Sequence, residues 1–145
     1  MFPTTRSSAV ADLLSGDPDR QAKSVAIIAE AYWRPSCQYL RLRWRASDGE
    51  AEDLVQSFFE TVVRRGLLMT YEPGRARFRT FLRTCLDRHA IDQYRRRSAR
   101  RRGGGVAEVE LADDILPDDS AADPEKLFEA EWLRHLMQLA ITRLD

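Results

Sequence analysis

The chain has 145 residues, and its 23 Lys and Arg balance its 23 Asp and Glu, so the formal net charge is zero. This length suits one domain with a short appendage, and the neutral total, taken alone, argues against a uniformly basic nucleic-acid-binding protein. The sequence lacks an apolar run of about 18 residues, a signal-peptide pattern and CxxC spacing, so we expect a cytoplasmic protein without membrane spans, disulfide framework or metal site.

The first helices are predicted from their start signals. Asp17 followed by Pro18 is a favoured N-cap and first helical residue, and apolar residues recur beyond it at helical spacing. Pro35 either starts or kinks a second helical stretch. Residues 1–16 form an N-terminal extension, in which Ala9–Leu14 have partial helical character.

A third helix is predicted from Glu50 to about Arg65. Its apolar residues follow the i, i+3, i+4, i+7 pattern of a helix with one buried face. Acidic residues in its first turn and arginines in its last turn complement the helix dipole, and Gly66 is a favoured residue just past the end.

A loop over residues 67–76 and a long helix from about Arg77 to about Arg101 follow. Pro73-Gly74 marks a turn in the loop, and the run Gly103–Gly105 ends the helix. Residues 103–122 are acidic and without helical periodicity, which indicates a linker. Asp123-Pro124 then repeats the start signal of Asp17-Pro18 and begins one further helix, over 123–145.

These elements predict an all-α fold. Residues 17–102 form a compact helical bundle, followed by the acidic linker and the last helix. The predicted core residues are Trp33, Tyr39, Leu54, Phe58, Phe59, Val62, Phe78, Leu82 and Cys85.

The neutral total conceals two opposite blocks of charge. Residues 73–102 carry eleven arginines against Asp87 and Asp92, whereas residues 103–145 carry three basic and eleven acidic groups. Such asymmetry indicates a polyanionic partner, because arginine binds phosphate through a planar fork and stacks on bases. Nearby aromatic residues suit single-stranded nucleic acid: Tyr71, Phe78, Phe81 and Tyr94. The alternative is that Phe78, Phe81 and Tyr94 are core residues, and this alternative is favoured for Phe78 and Phe81.

Enzymatic motifs are missing from the sequence. There is no nucleophile–base pair, no phosphate-binding loop and no metal-ligand spacing, and the glycine run follows a helix instead of preceding one. His89 and His135 are each expected to be structural or solvated. We therefore expect no catalytic residue, no metal and no cofactor.

Two linked motifs carry a family resemblance. AEDLVQSFFETVV, a loop, and RFRTFLRTCLDRHAIDQYRRR resemble region 2 of the extracytoplasmic-function (ECF) sigma factors of bacterial RNA polymerase, over about residues 20–105. Phe81 and Arg88 stand where the family pattern has Trp and Asn. The matching residues are Ala51, Glu52, Asp53, Leu54, Gln56, Phe78, Arg79, Leu82, Asp92, Arg95 and Arg96. The last segment is similar to the first helix of region 4, whose helix-turn-helix would begin beyond Asp145.

This resemblance implies a transcription initiation factor that binds core RNA polymerase and recognises and melts the promoter −10 element. Glu52, Asp53 and Gln56 would dock on the clamp helices of the β′ subunit. The loop 67–77 and the arginine-rich helix would hold the non-template strand, with Tyr71 as a stacking wall. An anti-sigma factor is a further candidate partner, and the acidic linker would occupy the RNA channel or screen the arginine helix. The implied DNA-binding residues are Tyr71, Arg75, Arg77, Arg79, Arg83, Arg88, Arg95 and Arg96.

The alternative hypothesis is a helical DNA- or RNA-binding regulator without a polymerase partner. It uses the same arginine-rich helix but assigns no role to Asp53 and Gln56. Replacing these two side chains therefore distinguishes the two hypotheses.

Overall fold

The computed structural model describes residues 7–101 and 123–144, which form five α-helices and no strand, and the predicted all-α fold is confirmed. The linker predicted over 103–122 lies outside the described residues. A short 3-10 turn, Leu67–Thr70, lies between the third and fourth helices. The helices are α1 (Ser7–Leu13), α2 (Pro18–Arg43), α3 (Asp48–Arg65), α4 (Phe78–Arg101) and α5 (Pro124–Leu144).

Helix α2 begins at its predicted cap and passes through Pro35 as one element. The Asp17 carboxylate accepts a hydrogen bond from the Asp19 backbone N–H at 3.0 Å. Pro35 removes one helical hydrogen bond, but it is buried together with Ser36, Tyr39 and Leu40. Packing of this face of α2 therefore outweighs the local break, and the alternative of a helix starting at Pro35 is wrong.

Helix α3 begins two residues before the predicted start because of a capping box at Ser47. The Ser47 hydroxyl accepts from the Glu50 backbone N–H, and the Glu50 carboxylate accepts from the Ser47 backbone N–H, both at 3.2 Å. Gly66 ends the helix in the left-handed conformation at φ 60°, and its N–H donates to the Val62 carbonyl. The two signals together explain why α3 is a sharply bounded helix.

The core lies between α2, α3, α4 and α5. Tyr32 of α2 stacks on Phe128 and Trp132 of α5, with ring centroids 6.0 and 6.4 Å apart. Phe128 is fully buried and Trp132 is 5% exposed, so α5 packs into the bundle formed by the preceding helices.

Eight of the nine predicted core residues are buried, and Trp33 is the exception. Trp33 is 37% exposed and stacks on the outer side of Phe59, with ring centroids 5.9 Å apart. The prediction for Trp33 is wrong because helical spacing alone does not say which positions at the edge of an apolar stripe are covered by a neighbour.

Helix α1 also packs on this bundle. Leu13 is fully buried and Ala9 is 3% exposed. The side chains of Gln21 and Ser24 donate hydrogen bonds to the backbone carbonyls of Leu13 and Ala9, respectively. These bonds satisfy carbonyls near the end of a helix too short to be stable alone.

Candidate nucleic-acid interface

The first turns of α4 carry arginines that face the acidic side of α5. Arg79 donates to the Glu129 carboxylate at 3.2 Å, and its guanidinium lies 3.9 Å from the centre of the Trp132 ring. Arg77 lies 3.7 Å from the same carboxylate oxygen. Carboxylates of α5 therefore contact the arginines at the start of α4, and the screening expected from the linker lies outside the described residues.

Arg83 belongs to a half-buried polar network around Asp87. The Asp87 carboxylate accepts from Arg83 at 2.8 Å, from the Trp44 indole at 2.9 Å and from the Tyr39 hydroxyl at 2.8 Å. Burial and the adjacent Asp87 raise the pKa of Tyr39, so it remains a neutral donor. Glu125 approaches Arg83 to 4.0 Å. Asp87 thus joins α4 to α2, and Arg83, with only 17% of its side chain exposed, extends the network to α5.

Tyr71 is buried, and the structure does not present its ring as an open stacking surface. It is 8% exposed, its hydroxyl donates to the Ala76 carbonyl at 2.7 Å, and Phe78 packs on it in an edge-to-face arrangement at 5.2 Å. The hydroxyl closes the loop between the 3-10 turn and α4. The sequence pattern could not separate a stacking tyrosine from one that holds a loop.

A cavity of about 720 Å³ opens between this loop, the start of α4 and α1. Arg75 and Arg77 stand on its rim with 81% and 71% of their side chains exposed. Its lining residues are Val10, Tyr71, Pro73, Gly74, Arg75, Ala76, Arg77, Phe78 and Arg79. Residues of the loop expected to hold the non-template strand therefore border a cavity, and α1 contributes a wall that no sequence pattern indicated.

The second half of α4 presents a separate basic surface. Arg88, Arg95 and Arg96 are all exposed. Arg97 lies 3.6 Å from Glu50 of α3 and over the Tyr94 ring. Of the predicted DNA-binding residues, the exposed ones thus form two groups, Arg75 and Arg77 at the loop and Arg88, Arg95 and Arg96 further along α4.

On α3, the three predicted polymerase-binding residues are exposed. Gln56 donates to Glu60 at 3.3 Å, one turn further along the helix. Glu52 also borders a groove of about 490 Å³ between α2 and α3, which is lined in part by Trp33, Cys37 and Arg41. Asp53 and Gln56 are three residues apart and share one helix face.

The structure supports no metal site or reactive thiol among the residues it describes. No group of three His, Cys, Asp or Glu side chains could hold a metal ion within residues 7–101 and 123–144. Burial, and to a smaller extent the charge of Glu52, raises the pKa of the Cys37 thiol to about 11. Burial also raises the pKa of the Cys85 thiol. Across those same residues, no helix is long and apolar enough to cross a membrane.

Residues 32–100 match the family model of sigma-70 region 2. This segment includes part of α2, all of α3, the loop and nearly all of α4, and therefore both candidate surfaces. Searches of curated proteins and of solved structures return no significant match. Residues 32–100 are therefore similar to sigma-70 region 2.

Proposed function

We propose from this match that the protein is a transcription initiation factor of the ECF type, which binds core RNA polymerase and recognises and melts the promoter −10 element. The match of residues 32–100 carries the proposal, because sigma-70 region 2 supports polymerase binding and −10 recognition. Sigma-70 factors are initiation factors and not enzymes, and we propose on the same match that this protein is not an enzyme.

The proposed polymerase surface is the exposed face of α3 around Asp53. Asp53, Gln56 and Glu52 lie opposite the buried Leu54, Val55 and Phe58, which hold the helix against the core. A carboxylate and an amide on a rigid helix form charge-assisted bonds with basic partner side chains at little entropic cost. We propose that these partners belong to the β′ clamp helices.

The proposed DNA surface has two parts along α4. A base that leaves the stack, at a cost of a few kcal/mol, would enter the cavity bordered by Arg75 and Arg77. The backbone of the non-template strand would continue over Arg88, Arg95 and Arg96, whose exposed guanidinium groups suit phosphate.

The other predicted DNA-binding residues support this surface. The Tyr71 hydroxyl holds the loop through Ala76, and Arg79 and Arg83 contact Glu129 and Glu125 of α5. We propose that these three act mainly through the positions of the loop and α4.

Further parts of the proposal concern partners and the last helix. Helix α5 resembles the first helix of region 4, an anti-sigma factor is proposed as a regulatory partner, and the cytoplasm is the proposed site of action.

The test is a binding assay between core bacterial RNA polymerase and the variant Asp53→Ala/Gln56→Ala. We expect affinity to fall about tenfold or more, because each lost bond to a charged partner is worth about 1.5–3 kcal/mol. The matched control is Asp92→Ala/Gln93→Ala, which removes the same chemical groups from α4. Wild-type chain that does not bind the polymerase, or equal affinity of all three proteins, would favour the regulator without a polymerase partner.

A further inference from the structure

Helix α1 lies outside the segment that matches sigma-70 region 2, yet it contributes to the cavity at the start of α4. Val10 is the α1 residue in the cavity wall, opposite a loop that includes Gly74 and Arg75. It is half-buried and packs against the hydrophobic core. The space that the loop offers to a ligand is therefore closed on one side by the N-terminal helix.

The position of Val10 is set by the residues around it. Ala9 and Leu13 are buried on the same short helix, and their carbonyls accept hydrogen bonds from Ser24 and Gln21 of α2. These contacts hold α1 on both sides of Val10. Because α1 is anchored in this way, the distance between Val10 and the loop is fixed. A cavity of fixed width can discriminate between ligands by their size.

The charges around the cavity favour a neutral ligand group over a phosphate. Arg77 and Arg79 share the Glu129 carboxylate, at 3.7 and 3.2 Å, and Arg75 lies 3.4 Å from Glu72. Each arginine in the lining thus has a carboxylate within 4 Å. The remaining lining is apolar or small, including Val10, Pro73 and Phe78, and this combination suits a planar base with polar edges.

We propose that α1 forms one wall of a base-binding pocket and that Val10 contacts the base, so that this helix determines which bases are accepted. The inference rests on the proposed function, because the base is one that leaves the −10 duplex. It assigns a specificity role to a residue outside the matched region 2.

The experiment uses the full chain bound to core RNA polymerase and fluorescein-labelled single-stranded 12-mers whose flanking nucleotides are abasic. The central nucleotide is dA, dC, dG, dT or an abasic residue, and affinity is measured by fluorescence anisotropy. Val10→Phe extends the α1 wall into the cavity, and Val10→Ala moves that wall back. Ala11→Phe is the matched control, because Ala11 is exposed on the same helix.

We expect Val10→Phe to weaken binding of the base-containing oligonucleotides by about tenfold while binding of the abasic one is unchanged. Val10→Ala is expected to change the ratio of purine to pyrimidine affinity, and Ala11→Phe to change neither. The inference is overturned if Val10→Ala leaves this ratio unchanged and Val10→Phe, when folded, matches Ala11→Phe. Wild-type chain that does not bind the polymerase would instead overturn the proposed function.

Discussion

At the scale of single residues, Asp87 is the acceptor on which the centre of the molecule depends. One carboxylate accepts from a tyrosine on α2, an indole just past its end and a guanidinium one turn earlier on α4. With 17% of its side chain exposed, it is only partly solvated. Without the carboxylate, the buried Tyr39 hydroxyl and Trp44 indole would lose the acceptor they donate to, and buried donors without a partner are costly.

We therefore predict that Asp87→Ala lowers the free energy of unfolding by about 3 kcal/mol, at the lower end for a broken buried network because some solvent reaches it. Urea denaturation followed by circular dichroism measures the change. Asp92→Ala, an exposed aspartate on the same helix, is the control and should change stability by less than about 0.5 kcal/mol. Equal denaturation midpoints for the two variants would contradict the role of Asp87.

At the scale of elements, α5 packs on the bundle unevenly along its length. Its first half places Phe128 and Trp132 against Tyr32, and Tyr39 meets Phe128 edge-to-face at 5.3 Å. The second half, by contrast, exposes Met137 and Ile141, at 64% and 60%. The helix is therefore anchored by its N-terminal half, where its carboxylates also meet the arginines of α4.

Within the N-terminal half, one face of α5 is buried and the other is exposed, which predicts different costs for truncations on the two faces. Phe128→Ala removes a fully buried ring and should lower the free energy of unfolding by about 3–5 kcal/mol. Leu133→Ala, at a position 48% exposed, should cost well under half of that. Thermal or urea unfolding of both variants measures the difference. Similar losses at the two positions would argue against burial of α5 in the bundle.

At the scale of the whole molecule, the two blocks of charge meet directly. Glu125 and Glu129 of the acidic block contact Arg77, Arg79 and Arg83 of the basic block. The arginines further along α4 that are exposed stay available to a polyanion. Part of the basic block is thus paired with the acidic block, and the arginines further along α4 are not. We expect only these separate arginines to contribute counterion release on DNA binding.

The salt dependence of DNA binding should show whether the exposed arginines further along α4 contact DNA phosphates. Replacing Arg88, Arg95 and Arg96 by Ala in the polymerase complex should reduce the slope of log affinity against log salt by about 0.7 for each single-strand phosphate that is no longer neutralised. The control Arg20→Ala/Lys23→Ala/Arg143→Ala removes the same net charge from exposed positions on α2 and α5. A slope reduced equally by both variants would mean that net charge, not this surface, governs binding.

The helices and their chemistry follow from the linear chain, because caps and periodicity are local. Contacts within four residues set the ends of the helices, at Asp17-Pro18, at Ser47 with Glu50, and at Gly66. The concentration of arginines on one helix, and the motifs that resemble sigma region 2, are likewise readable without a structure. These features suffice to predict the all-α fold and a polyanionic partner.

Which of those side chains are available to a partner depends instead on tertiary packing. Arg79 and Glu129 are 50 residues apart, and Tyr39 and Asp87 are 48 apart, so no local pattern reveals either contact. The same is true of the burial of Tyr71, the exposure of Trp33 and the position of Val10 in the cavity wall. Each depends on which helix covers which face, and that is set by packing of the whole core and not by spacing along one element.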